Sequence, residues 1–133
     1  MILLDANTLI HYVKGMQAVV ARLQATPPRD VAIPSVVVYE FHYGTLAAVS
    51  QVAARRKEII AGLLAGIAQV PFDEDAAIEA ARIRLELERK GQVIGPMNLL
   101  IAGTAVSRGA ALATSNTREF ARVPGLHLVD WSL

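Results

Sequence analysis

Cysteine is absent from this sequence of 133 residues, and the two signs of charge are almost balanced. Without cysteine the chain has no disulfide, no thiolate metal site and no cysteine nucleophile. The 13 Lys and Arg residues stand against 12 Asp and Glu, a formal net charge of +1. This balance excludes a broadly basic surface for nucleic acid and an acidic solvating tail. Binding of a polyanion must therefore come from a local arrangement of charges or from metal ions.

Long apolar segments are also absent. The longest weakly polar run, residues 59–68, has ten residues, whereas a membrane-spanning helix needs about 18 or more. The first five residues end in an acid and carry no basic side chain, so we expect no signal peptide. Together with the missing cysteine, these features favour a cytoplasmic protein without membrane contact.

Familiar catalytic motifs are missing as well. The sequence has no glycine-rich phosphate loop and no local Ser, His and Asp arrangement typical of a hydrolase. Its three histidines, His11, His42 and His127, lack metal-ligand spacing. We interpret them as surface or packed residues.

Apolar residues are abundant, at 53%, and only 19% of residues are charged. The mean hydropathy of +0.39 is high for a soluble domain. Two interpretations fit: a sheet buried on both faces, or a surface that a partner covers. The length predicts a single domain over residues 1–133.

Short apolar runs alternate with helical stretches along the chain. The runs predict strands over residues 2–4, 31–33, 68–72, 110–113 and 126–129, and helices over 6–12, 18–25, 36–49, 53–66, 73–90 and 96–108. Pro34 and Ser35 open the third helix, with Ser35 a suitable cap. This alternation predicts an α/β fold, a three-layer α/β/α sandwich with a central parallel sheet of four or five strands.

Several oxygen-bearing side chains follow strands or begin helices. Asp5 ends the first apolar run, where it is either a helix cap or a site residue. Glu40 has apolar residues on both sides, so its carboxylate either reaches solvent or needs a cation. Asn98 is the lone polar residue in an apolar first turn, and Asn116 and Glu119 follow the fourth run. For Asn98 and Asn116 a local hydrogen bond is the ordinary alternative, and for Glu119 a solvated surface position.

All these positions map to the carboxyl edge of the predicted sheet, where ligands bind in such folds. A few oxygen ligands that converge on one edge suit Mg²⁺ or Mn²⁺. Two such ions can polarise a phosphodiester and activate water. This chemistry would also let a nearly neutral protein act on a polyanion.

Four segments in order resemble the motifs of the PIN-domain family. They are residues 1–15, with Asp5 followed by a small residue and Asn; residues 33–41, with Glu40; residues 95–102, with Asn98; and residues 114–126, with Asn116 and Glu119. The last two segments are very similar to VapC toxins of type II toxin–antitoxin systems. The resemblance extends over essentially the whole chain.

The resemblance implies an endoribonuclease that depends on Mg²⁺ or Mn²⁺ and often cuts tRNA. It implies catalytic roles for Asp5, Glu40, Asn98 and Glu119. Asp5 and Glu40 would be the acids of the metal site, and Asp5 and Asn98 its direct ligands. Either Asn116 or Glu119 faces the metal, and we expect Thr114 and Asn116 to contact substrate. The implied partners are a VapB-type antitoxin and a second copy of the chain. We expect the second copy to contact the helical region 36–67.

The chain departs from the family at position 98, where the family has an Asp that binds the metal. An Asn98 that arose naturally and an Asn98 introduced by engineering would give the same sequence, so the sequence does not distinguish these two origins. The amide keeps an oxygen but loses the charge, so we expect a weakened site. Asn98 also leaves open a second function, a non-catalytic PIN module that binds a protein or RNA. A haloacid-dehalogenase-type phosphatase is disfavoured, because it needs a second Asp where Asn7 stands.

Overall fold

The computed structural model describes residues 1–48 and 50–133. Five short strands, β1 (Ile2–Leu4), β2 (Val31–Pro34), β3 (Ala68–Val70), β4 (Ala111–Ala113) and β5 (Leu128–Val129), form one sheet. The helices are α1 (Ala6–Val13), α2 (Gln17–Ala25), α3 (Ser35–Ala47), α4 (Gln51–Gly66), α5 (Glu74–Arg89), α6 (Pro96–Ser107) and α7 (Thr117–Phe120), with a 3₁₀ turn at Pro28–Asp30. The predicted α/β/α sandwich is confirmed.

All strand pairs are parallel, and the strand order is β3-β2-β1-β4-β5. The chain builds outwards from β1 on one side through β2 and β3, and then continues on the other side with β4. The carboxyl ends of β1 and β4 therefore form the topological switch point, where open α/β sheets bind ligands. Leu4 pairs with Ala113, so Asp5 and Thr114 are the next residues on these two strands.

The sheet is the centre of the core. All four residues of β2 are buried, and Leu3, Leu4, Leu112 and Ala113 of the neighbouring strands are at most 1% exposed. Burial on both faces accounts for the continuous apolar runs. Among the described residues, no helix is long and apolar enough to cross a membrane.

Most predicted elements are present with shifted ends. The strand predicted over residues 68–72 stops at Val70, and the one predicted over 126–129 begins only at Leu128. The third helix ends at Ala47, and Val49, its predicted last residue, lies outside the described residues. The 3₁₀ turn at Pro28–Asp30 was not predicted.

The predicted cap at Ser35 is wrong. Ser35 is the first residue of α3, and Pro34 occupies the cap position without a side-chain hydrogen bond. The Ser35 hydroxyl instead accepts a hydrogen bond from the Phe72 backbone N–H at 3.1 Å. It therefore holds the segment after β3 against the start of α3, a contact between residues far apart in sequence.

Candidate active site at the carboxyl edge of the sheet

Asp5 caps helix α1 and also lies buried at the switch point. Its Oδ1 accepts a hydrogen bond from the Thr8 backbone N–H at 2.8 Å, and its Oδ2 accepts one from the Thr114 hydroxyl at 2.5 Å. Only 3% of the residue is exposed. The two interpretations of Asp5, helix cap and buried site residue, are therefore compatible with each other, because one carboxylate serves both.

Burial determines the electrostatics of Asp5. It raises the pKa of the carboxyl above its usual range, because a buried carboxylate loses hydration. Hydrogen bonds from Thr114 and Thr8, and the nearby His11, oppose this increase. The structure thus holds a carboxylate in a place where an added positive charge would be strongly favourable.

Glu40 lies in the second turn of α3, which begins beside Asp5. Its Oε1 is buried and has no hydrogen-bond partner within the described structure. Burial raises the pKa of the Glu40 carboxyl, and the negative charge of Asp5 raises it further. The two acids are therefore close enough to repel each other, and one oxygen of Glu40 is left without a partner.

Glu119 is a hydrogen-bonding centre and not the solvated surface acid that its sequence position alone favours. Its Oε1 accepts a hydrogen bond from the Gly95 backbone N–H at 2.5 Å. Its Oε2 accepts from the side-chain amides of Asn116 at 3.0 Å and Asn98 at 3.3 Å. The bond from Asn116, then that from Gly95, lowers the pKa of the Glu119 carboxyl. Glu119 is therefore held as a carboxylate.

Thr114 links the two groups of side chains. Its hydroxyl donates to Asp5 and accepts a hydrogen bond from the Asn116 backbone N–H at 2.9 Å. The structure thus joins Asp5, Thr114, Asn116, Glu119 and Asn98 through successive hydrogen bonds, with Glu40 facing Asp5.

Thr114 and Asn116, the two residues expected to contact substrate, differ in burial. Thr114 is 0% exposed, and its hydroxyl donates to Asp5, so it positions that carboxylate; the substrate contact expected of Thr114 stays a prediction. Asn116 is half-buried at the start of α7, and its amide is directed to Glu119. The substrate contact expected of Asn116 stays a prediction.

Thr8 and His11 were not among the predicted site residues. Thr8 is buried, and its hydroxyl donates to the Ala113 carbonyl at 2.8 Å, which ties the start of α1 to β4. The spacing of Asp5 and Thr8, three residues apart before an apolar helix, is a capping pattern that could have revealed this contact. The approach of His11 to Asp5 has no comparable local signal.

The residues at this edge fit a hard divalent cation. Asp5 and Glu40 supply carboxylate oxygens, which Mg²⁺ and Mn²⁺ prefer. The partnerless Oε1 of Glu40 is the kind of buried atom that a cation would satisfy. Across residues 1–48 and 50–133, no three His, Cys, Asp or Glu side chains are close enough to hold one metal ion. The edge therefore offers two carboxylates where a third would complete a typical site.

Comparison with known proteins gives consistent matches over almost the whole chain. A family model described as PIN domain matches residues 2–126. The tRNA(fMet)-specific endonuclease VapC of Shigella flexneri is 39% identical over 98% of this chain and 97% of its own length. The protein of the same name from Salmonella typhimurium is 35% identical over 97% of this chain and 96% of its own length.

Solved structures agree with these sequence relatives. The structure of VapBC2 from Rickettsia felis bound to a promoter DNA fragment matches with a TM-score of 0.89 and 30% identity, covering 98% of this chain and 99% of that one. DNA-bound VapBC from Salmonella typhimurium matches with a TM-score of 0.88 and 35% identity, covering 98% and 97%.

Proposed function

We propose that this chain, which belongs to the PIN-domain family and within it to the VapC ribonucleases, is the toxin of a toxin–antitoxin pair and a metal-dependent endoribonuclease. The relatives named as tRNA(fMet)-specific endonucleases support tRNA as its substrate class. The observation that carries the proposal is the pair of mutually repelling acids, Asp5 and Glu40, at the switch point of the sheet. We place the protein in the cytoplasm, where a tRNA substrate is present.

In this mechanism Asp5 and Glu40 would hold Mg²⁺ or Mn²⁺. When bound, the ion would polarise the phosphodiester and lower the pKa of the attacking water. Thr8 and Thr114 keep the Asp5 carboxylate in one orientation through a hydrogen bond to each oxygen. One oxygen of Glu40 has no hydrogen-bond partner within residues 1–48 and 50–133. Glu119, fixed as a carboxylate by Gly95 and Asn116, is linked to Asp5 through the hydrogen bonds of Asn116 and Thr114.

Asn98 weakens this site in our proposal. The Asn98 side-chain amide donates a hydrogen bond to the Glu119 carboxylate. An Asp at position 98 would be repelled by that carboxylate. An Asp at position 98 would add a third acid, and the resulting repulsion would favour a bound cation. Losing even indirect support costs a metal site about 10–100-fold in affinity or activity, and a missing ligand charge should cost at least as much.

The test compares the chain with its Asn98→Asp variant on one tRNA transcript while Mg²⁺ or Mn²⁺ is titrated. We expect weak cleavage by the chain itself and a gain of at least about tenfold for the variant, with tighter Mn²⁺ binding in a titration without RNA. The fold should barely change, because Asn and Asp have nearly the same shape.

The control is Asp5→Ala added to the Asn98→Asp variant, which should abolish both metal binding and cleavage. Equal cleavage by the chain and by its Asn98→Asp variant would show that position 98 does not act on the metal. Absence of cleavage by every form, with Mn²⁺ bound, would refute the ribonuclease proposal.

A second function, a PIN module that binds without cutting, is favoured by one observation. Asn98, Asn116 and Glu119 satisfy one another by hydrogen bonds, so this half of the edge is complete without a cation. RNA binding that persists in the Asn98→Asp variant with bound Mn²⁺ but without cleavage would support this function.

The antitoxin proposal rests on charge at the same edge. The structural neighbours are VapBC complexes, in which a VapC chain is bound to VapB. We propose that the antitoxin of this chain places an Arg or Lys near Asp5, Glu40 or Glu119, because Arg pairs best with carboxylates. A complex that leaves this edge open to solvent would contradict the proposal.

A further inference from the structure

Three cations from two helices line one groove on the surface. Lys14, at the end of α1, lies beside Arg55 and Arg56, near the start of α4, and Gln51 completes the polar wall. The groove has a volume of about 390 Å³, within the roughly 300–1,000 Å³ typical of ligand pockets. We call these residues the basic groove.

The basic groove adjoins a cavity that reaches Glu40, one acid of the candidate active site. Lys14 and Arg56 also line a neighbouring cavity of about 260 Å³, whose wall includes Glu40 and Phe41. A chain of phosphates that passes Glu40 would therefore lie next to Lys14 and Arg56 of the basic groove. No salt bridge in the described part of the chain joins Glu40 to either cation.

The three cations of the basic groove have no acidic partner among the described residues. Across the residues that the structure describes, the salt bridges involve other cations, and none includes Lys14, Arg55 or Arg56. Helix α4 has no acid in its first turn and no base in its last, so Arg55 and Arg56 are not placed where the helix dipole would stabilise a cation.

Helix α5 shows the opposite arrangement. It has Glu74 and Asp75 in its first turn and Arg89 in its last. Its cations Arg82, Arg84 and Lys90 each pair with a glutamate at most four residues away. The same chain thus contains cations whose charge is neutralised within the fold and cations that remain available to an external anion.

We propose that the basic groove binds the phosphate backbone of the RNA next to the cleaved bond. The inference rests on the proposed ribonuclease function, and it explains how a protein with a net charge of only +1 can hold a polyanion. Contacts to phosphate from Lys and Arg set the position of a nucleic acid without reading its sequence.

The test measures binding of a fluorescent tRNA transcript to the full chain in EDTA, by anisotropy at increasing NaCl. A triple variant, Lys14→Gln with Arg55→Gln and Arg56→Gln, should bind about tenfold more weakly or worse. The slope of log affinity against log salt should fall in magnitude by about 2–3, because three phosphate contacts contribute roughly 0.7–0.9 each.

The matched control removes the same charge from α5: Arg82→Gln, Arg84→Gln and Lys90→Gln. It should leave the salt slope unchanged. An equal loss of tRNA affinity in both triple variants would show that binding depends on net charge and not on the basic groove, which would refute the proposal. An unchanged salt slope in the groove variant would also refute it. Intact tRNA binding with impaired antitoxin binding would assign the groove to a protein partner and overturn our inference. Circular dichroism and melting confirm that both variants fold.

A kinetic readout separates this inference from the proposed function itself. In the Asn98→Asp background, the groove variant should raise KM while kcat stays close to that of its parent, because these cations hold ground and transition states alike. A loss confined to kcat would contradict a backbone-binding role. If the Asn98→Asp parent does not cleave, the ribonuclease proposal fails, whereas the anisotropy result still decides whether the groove binds RNA.

Discussion

At the residue scale, Glu40 shows the energetic cost of a binding site. Its carboxylate is half-buried, is repelled by the charge of Asp5, and has one oxygen without a hydrogen-bond partner among the described residues. Each of these features disfavours the charged form in the folded state. A fold selected for stability alone would place a neutral side chain here.

We therefore predict that Glu40→Gln stabilises the metal-free protein at neutral pH. The variant removes the repulsion from Asp5 and the burial of a charge, and the gain is at most about 1 kcal/mol because the side chain is partly screened by solvent. Urea unfolding in EDTA measures it. Glu58→Gln, an exposed acid on α4, is the control and should have little effect. A destabilised Glu40→Gln protein would show that Glu40 has a stabilising partner.

At the element scale, helices α5 and α6 pack so closely that they allow only glycine at position 103. A Cβ there would lie 2.6 Å from Ala80 Cβ and 2.7 Å from the Ala76 carbonyl oxygen. Both atoms are either a backbone atom or a Cβ, so neither can move aside without a shift of the α5 backbone. The register of α6, which carries Asn98, depends on this contact.

Gly103→Ala should therefore destabilise the protein by about 1–3 kcal/mol, the usual cost of overpacking a core. The control is Gly62→Ala in α4, where an added Cβ meets no atom of the described residues within 4 Å. That change should stabilise the protein by roughly 0.5–1 kcal/mol, since alanine favours a helix. Thermal melts of both variants check the prediction, and a stabilised Gly103→Ala variant would contradict the close packing.

Asp73 connects the same two helices and makes their junction sensitive to pH. Its carboxylate caps α5 through the Ala76 backbone N–H and accepts a hydrogen bond from Arg108, at the end of α6. The Ala76 N–H and then Arg108 lower the pKa of the Asp73 carboxyl. The folded state thus favours the ionised form more than the unfolded state does.

The stabilisation from Asp73 should be complete above its unfolded pKa of about 3.9 and be lost as pH falls through the lower folded value. We predict that wild type and Asp73→Asn differ in melting temperature at pH 7 and converge at the acid end of a series down to pH 2. Asp30→Asn, an exposed acid, controls for net charge. A difference that persists at pH 2 would rule out the ionised carboxylate as its source.

At the scale of the whole molecule, one face of α3 is apolar and open. Tyr39, Tyr43 and Leu46 recur at helical spacing and are 61%, 69% and 72% exposed. Aromatic residues are enriched at the centres of protein interfaces. This face lies within region 36–67, where we place the homodimer, and it matches the interpretation that a partner covers part of the surface.

We predict a homodimer, with twice the chain mass of 14.3 kDa, in light scattering without antitoxin. Tyr43→Glu should yield a monomer, because a charge would be buried in the interface, which needs about 1,000 Å² or more in total to be specific. Val93→Glu, at another exposed apolar residue, should stay dimeric. A monomeric parent protein at micromolar concentration would refute the prediction.

The sequence by itself determined the elements and the order of the motifs. Continuous apolar runs such as Ile2–Leu4 become strands because both faces are buried. Asp5 is the next residue, so the sequence alone places it at the carboxyl end of a strand. Caps and glycines delimit helices through contacts within a few residues, which is why the ends of α1 and α5 were predicted to within about one residue.

Only the tertiary structure decided what these side chains touch. The sequence around Glu119 is typical of an ordinary surface acid, yet its partners Asn98 and Gly95 are 21 and 24 residues away. Thr114 and Asp5 are 109 residues apart and meet because β1 and β4 are neighbours in the sheet. Burial, pKa and the free oxygen of Glu40 depend on such long-range contacts, and no local pattern encodes them.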